Sequence, residues 1–71
     1  MNTQEKLEAI VAKCHLLLGF PERYSTSSAR AGWKATIAAI EYWHKAKSLG
    51  WDADSLNAIS EPIISAWEDA L

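Results

Sequence analysis

The stretch from Ala29 to Leu49, ARAGWKATIAAIEYWHKAKSL, is the most informative part of the 71-residue chain. At 100° per residue on a helix, most of its polar side chains fall in one narrow arc, and mostly apolar or small side chains occupy the rest of the circumference. The polar arc contains Arg30, Lys34, Glu41, Lys45 and Ser48; one apolar strip contains Trp33, Ile37, Ile40 and Trp43; a second strip contains Ala31, Gly32, Ala35, Ala39, Tyr42 and Ala46. A surface helix needs only one apolar stripe, so this segment predicts either the centre of a bundle or an assembly surface.

A helix is also predicted on each side of this segment. The first runs from about Gln4 to Leu18, with Thr3 as its N-cap and Gly19 and Pro21 as its stop. Its stripe has 3-4-3 spacing and consists of Leu7, Ile10, Cys14 and Leu17. The central helix runs from about Ser28 to Leu49 and is stopped by Gly50, after which Trp51 takes the hydrophobic position of a Schellman motif.

The third helix begins at a cap formed by Asp52 or Asp54 and keeps one apolar phase to the end of the chain. Pro62 interrupts this phase, which leaves two alternatives: one kinked helix, or two short helices of which Ser60 caps the second. The inward residues are the same in both: Leu56, Ile59, Ile63, Ala66, Trp67 and Ala70. No segment has the pattern of a strand. The sequence therefore predicts an all-α fold, an antiparallel three-helix bundle with the central helix between the other two.

The length of the chain indicates one domain, residues 1–71, with a small margin of stability. Cys14 is the only cysteine, so no disulfide supports the fold. We expect an oligomer or a bound partner to do so, and the alternative is an efficient helical bundle that is stable alone. A single cysteine is typical of a reducing compartment, and the polar segment after Met1 does not resemble a secretory signal. No apolar segment approaches the length of a membrane span. We therefore expect a cytoplasmic protein.

The net charge of −2 hides an uneven distribution. Residues 23–47 contain five basic residues and one acidic residue, whereas residues 48–71 contain five acidic residues and no basic one. One interpretation is that the acidic end packs beside the basic middle and neutralises it. The other is that copies of the chain recognise each other head to tail, or that the polarised surface meets a partner.

Two groups of residues are candidate binding sites. Tyr and Trp dominate binding hot spots, so an aromatic pair beside small residues predicts a partner-binding surface, formed by Tyr42, Trp43, Ala35, Ala39 and Ala46. The start of the central helix combines free N–H groups, hydroxyls and basic side chains, which is the chemistry that a phosphate-bearing ligand needs. These anion-site candidates are Arg23, Tyr24, Ser27, Ser28, Arg30 and Lys34. The alternative is a serine-capped helix with solvated basic side chains.

The sequence argues against several other functions. His15, His44 and Cys14 do not have the spacing of zinc ligands. The sequence also contains no recognisable catalytic combination of a nucleophile, a base and an orienting group. A nucleic-acid reader would need a basic recognition helix, but the central helix is broadly apolar and the third is acidic. We therefore expect a non-enzymatic interaction module without a cofactor, an inhibitor or adaptor of the size carried by phages and mobile elements. The alternative is a small-anion or nucleotide-binding protein that uses the start of the central helix.

Overall fold

The computed structural model describes all 71 residues and contains three α-helices and no strand. The helices are α1 (Thr3–Leu18), α2 (Ser27–Ser48) and α3 (Ala53–Trp67), and short 3₁₀ turns occupy Glu22–Tyr24 and Glu68–Ala70. The predicted all-α three-helix bundle is confirmed. None of the helices combines the length and the apolar character needed to cross a membrane.

Two long-range contacts set the direction of α1 against α2. The Lys47 ammonium, near the end of α2, donates a hydrogen bond of 2.8 Å to Oε1 of Gln4 at the start of α1. At the other end, the Arg30 guanidinium donates to the carbonyl oxygen of Leu18, the last residue of α1. The two helices are therefore antiparallel. The third helix packs against both α1 and α2. The sequence predicted that α2 lies between the other two helices; instead, each of the three helices contacts the other two.

The helix α1 starts at Thr3, one residue earlier than the sequence predicts. Asn2, not Thr3, is the N-cap, and its Oδ1 accepts the backbone N–H of Glu5 at 2.8 Å. The Glu5 carboxylate in turn accepts the N–H of Asn2 at 3.2 Å, which completes a capping box. A cap at Asn2 places Glu5 at the third helical position, where this reciprocal pair of hydrogen bonds can form.

Both ends of α2 follow local rules of helix termination. Thr26 is the N-cap, since its Oγ1 accepts the N–H of Ala29 at 3.0 Å, and the helix therefore starts at Ser27. After the helix, Gly50 has a φ of +85°, a backbone conformation that residues other than glycine rarely adopt. The N–H of Trp51 then bonds the carbonyl of Ala46 at 3.1 Å, which confirms the predicted Schellman motif.

The third helix is continuous through Pro62, which settles the alternative that the sequence left open. Asp52 is its N-cap and accepts the N–H of Ser55 at 2.7 Å; this hydrogen bond holds the pKa of Asp52 below its ordinary value. Pro62 is exposed, and so is Ala58, whose carbonyl would otherwise accept the missing proline N–H. Water can solvate this part of the backbone, so the helix continues. Ser60 is therefore not a cap but a buried residue inside the helix.

The core of the bundle is small. Only seven of the 71 side chains are buried: Leu7, Ile10, Cys14, Ile40, Trp43, Ala46 and Ser60. Of the core residues that the sequence predicts, Leu7, Ile10, Cys14 and Ile40 are confirmed, whereas Leu17, Ile37, Ile63 and Trp67 remain partly exposed. Three helices of this length enclose a limited volume, so several apolar side chains packed against the core keep contact with water.

Candidate protein-interaction surface

The side of α2 that faces away from the core is an exposed row of mostly apolar side chains. At 100° per residue this row lies opposite Ile40 and Trp43, and we call it the outer face of α2. Its members are all exposed: Ala31, Ala35, Ala38, Tyr42, Lys45 and Leu49. Apolar side chains scattered singly over a surface are normal, but a continuous row along one helix is typical of an interaction site.

An aromatic corner lies where this face meets the turn into α3. The Tyr42 and Trp51 rings are in edge-to-face contact, with their centroids 5.7 Å apart. Both rings are nevertheless exposed, at 52% and 41%, and the neighbouring Leu49 is 69% exposed. The Schellman turn at Gly50 positions Trp51 because it reverses the chain over the last turn of α2. This corner offers large, partly preorganised aromatic groups, of the kind that anchor protein interfaces.

The structure divides the partner-binding residues that the sequence predicts. Ala35 and Tyr42 belong to the outer face, and Ala39 is half-buried at its edge. The side chains of Trp43 and Ala46, however, are only 4% and 2% exposed. They stabilise the monomer and are therefore not part of the candidate surface. In their place the structure adds three residues to this surface: Ala38, Leu49 and Trp51.

Trp43 has an unusual environment for a core residue. Its indole Nε1 is buried and has no hydrogen-bond partner. The ring itself has contacts on two sides: the His44 ring lies edge-on at 5.1 Å, and the Lys47 ammonium lies 5.1 Å from the ring centroid. The latter distance is within the range of a cation–π interaction. Both contacts come from residues of α2 itself, and they leave the N–H of Trp43 unsatisfied.

A single cavity of about 350 Å³ lies beside the start of α2, where the sequence predicts an anion site. Its lining includes three of the predicted residues, and the full set is Glu22, Ser25, Ser27, Arg30, Ala31 and Lys34. Arg23 and Tyr24 do not reach it; the Arg23 guanidinium stacks on the Tyr24 ring at 4.9 Å and donates to its hydroxyl. The predicted Ser28 is also outside the lining.

Arg30, one of the two basic residues that line this cavity, already has neutral acceptors. Its guanidinium donates to the carbonyl oxygens of Leu18 and Phe20 and to Oγ of Ser25, at 3.3 to 3.4 Å. These contacts complement the negative end of the α1 dipole and fix the connector to α2. The carboxylate of Glu22 also lines the cavity and opposes an anion there. The arrangement favours a structural role for Arg30.

The uneven charge along the chain is not neutralised by hydrogen bonds to the acidic end. Arg23, Arg30 and Lys47 all donate to neutral oxygens. Lys34, Lys45 and the acidic side chains of α3 are exposed. The structure thus leaves charges of both signs on the surface, where they influence how the chain meets other molecules.

The remaining reactive side chains are not assembled into a site. No group of three or more His, Cys, Asp or Glu residues lies close enough to hold a metal ion. Cys14 is a free thiol within the core, and burial raises its pKa above the ordinary value. A thiol with a raised pKa is a poor nucleophile, so Cys14 behaves as a small apolar residue.

Comparisons with protein-family models, with curated proteins and with solved structures find no match to this chain. Its function is therefore inferred from its own surface.

Proposed function

We propose that this chain is a non-enzymatic interaction module that binds other proteins through the outer face of α2 and the adjoining aromatic corner. The observation that carries this proposal is the continuous exposure of apolar side chains along one side of a helix, ending in Tyr42, Leu49 and Trp51. Burying such a row releases water from apolar area, and the paired rings supply contact area with little loss of side-chain freedom.

An inhibitor or adaptor is the role that suits this architecture. The helices form a compact scaffold, and the row of side chains on α2 can dock on a partner as an amphipathic helix does in a groove. The small size is that of an accessory protein of the kind carried by phages and mobile elements. We further propose that it acts in a reducing compartment such as the cytoplasm, because its only cysteine is a free thiol.

Position-specific crosslinking tests this function. A photo-crosslinking amino acid replaces Leu49 on the outer face, and in a control chain it replaces Leu16, which is exposed to a similar degree on α1. Each chain is expressed in the cells of its source and its adducts are identified by mass spectrometry. We expect defined protein adducts at position 49 that are absent at position 16 and that disappear when Tyr42→Glu is added. The same adducts at both positions, or none at position 49, would contradict the proposal.

The second candidate function is the binding of a small anion in the cavity at the start of α2. Its support is the convergence of Ser27, Arg30 and Lys34 on one cavity. It ranks second because Glu22 shares that cavity and Arg30 is engaged with α1. Calorimetry with inorganic pyrophosphate and a panel of nucleotides tests it: binding that is lost in Lys34→Ala would support this function, and no heat across the panel would exclude it.

A further inference from the structure

The outer face of α2 has the spacing of a helix that pairs with another helix. Its residues follow each other at intervals of 4, 3, 4, 3 and 4, through Ala31, Ala35, Ala38, Tyr42, Lys45 and Leu49. A repeat that averages 3.5 residues keeps one seam of a helix against one partner helix over its whole length. Inside the monomer this seam is not used, because every one of its side chains is exposed.

Gly32 is a second, independent observation on the same helix. A glycine in the interior of a helix costs about 1 kcal/mol relative to alanine. Nothing in the monomer requires it, because a Cβ at this position would meet no atom within 4 Å. Gly32 lies on the edge of the seam next to Ala31 and Ala35, where a small residue allows another helix to approach closely.

We infer that the occupant of the outer face is α2 of a second copy, packed antiparallel, an inference that rests on the proposed function of this face. In the register we assign, Ala35 of each copy faces the partner's Ala38 at the centre of the contact. Tyr42 then faces the partner's Ala31, so a large side chain lies against a small one. Gly32 lies beside the partner's Ala39, which permits a short distance between the helix axes.

The charges beside the seam favour this register and this orientation. Lys34 and Glu41 are exposed on the same edge of α2, and the antiparallel register brings each Lys34 to the partner's Glu41. The contact therefore contains two equivalent pairs of opposite charge. A parallel contact would place Lys45 against the partner's Lys45 within the seam and would leave Lys34 and Glu41 without charged partners. Repulsion between like charges therefore disfavours the parallel arrangement.

Charge reversal tests the pairing directly. Sedimentation equilibrium of the full chain over a wide concentration range is expected to show a reversible monomer–dimer equilibrium. Lys34→Glu places four carboxylates along the contact, and Glu41→Lys places four ammonium groups there. Each single variant is expected to weaken the dimer by about tenfold, since two attractive pairs become repulsive. Lys13→Glu, an exposed charge reversal on α1, is the control and is expected to leave the equilibrium unchanged.

Two combinations identify the register. The double variant Lys34→Glu/Glu41→Lys exchanges the two charges and is expected to regain the affinity of the unaltered chain. An equimolar mixture of the two single variants is expected to form a heterodimer, because each acidic edge then faces a basic one. The proposal is overturned if the unaltered chain is monomeric at all concentrations. It is also overturned if the dimer ignores the single reversals, or if the double variant stays as weak as the single ones.

The same data separate this inference from the proposed function. If the chain is monomeric but position 49 still captures a different protein, the interaction function stands and the second copy is the wrong occupant. If the chain is monomeric and position 49 captures nothing, both fail. If adducts at position 49 have twice the mass of the chain and disappear with Lys34→Glu, the second copy is supported as the occupant of the outer face. If a different protein is also captured at position 49, the proposed function is supported as well.

Discussion

Trp43 fills the core next to α1 with an indole N–H that has no partner. A buried donor without an acceptor costs about 1 to 3 kcal/mol, whereas the ring gains free energy from its packing. The apolar area of the Trp43 ring therefore stabilises the fold, and its unpaired N–H destabilises it. A ring without the N–H would keep most of the first contribution and avoid the second.

This balance predicts a large difference between two substitutions. Trp43→Ala is expected to lower the free energy of unfolding by about 3 to 5 kcal/mol, because it leaves a cavity. Trp43→Phe is expected to lower it by less than about 1.5 kcal/mol, since the lost packing is offset by removal of the unsatisfied donor. Urea denaturation followed by circular dichroism measures both. Equal losses in the two variants would show that the N–H is not a cost to the folded state.

Arg30 acts at the scale of the elements, because it ties the end of α1 and the connector to the first turn of α2. We expect Arg30→Lys to lower the free energy of unfolding by about 1 to 2 kcal/mol, since one ammonium group cannot reproduce the planar fork that reaches three acceptors. Lys13→Ala, which removes an exposed basic side chain on α1, is the control and is expected to change stability by less than about 0.5 kcal/mol. Thermal and urea denaturation measure both variants. Equal effects would show that Arg30 is a solvated side chain.

The ends of the helices were largely predictable because the signals that end a helix are local. Gly50 and Trp51 supply the two hydrogen bonds of the Schellman motif wherever the helix lies in the fold. The cap of α1 was predicted one residue too late, since Asn2 and Thr3 can both accept a hydrogen bond and only Asn2 places Glu5 to return one. The continuity of α3 was not predictable from the sequence. It depends on the exposure of Ala58, whose carbonyl receives no hydrogen bond from Pro62.

The candidate surface was only partly predictable for a different reason. Periodicity gives the angle of each side chain around α2, but it does not say how much of the circumference the other two helices cover. Trp43 lies at the border of the two apolar strips and Ala46 lies within the second strip, yet both side chains are buried in the folded chain. Ala38 and Leu49 have the angle of Tyr42, so a search for residues opposite Ile40 would have found them.

At the scale of the whole molecule, few buried side chains and an exposed helix face have a common consequence. A monomer with a small core has a small free energy of unfolding, so any contact between copies contributes a large share of the total. Dimer formation couples to folding because only the folded chain presents the outer face of α2. The stability of the chain should therefore depend on its own concentration.

We expect the melting temperature of the unaltered chain to rise by about 3 to 6 °C for each tenfold increase in concentration above the dimer dissociation constant. Each tenfold step adds about 0.7 kcal/mol per chain to a dimer, and 1 kcal/mol shifts the melting temperature of a domain this small by about 4 to 8 °C. Tyr42→Glu places a carboxylate in the seam without touching the core, since Tyr42 is exposed, and its melting temperature should be independent of concentration. Differential scanning calorimetry across a dilution series makes the comparison. A constant melting temperature in the unaltered chain would mean that the small core alone stabilises the fold.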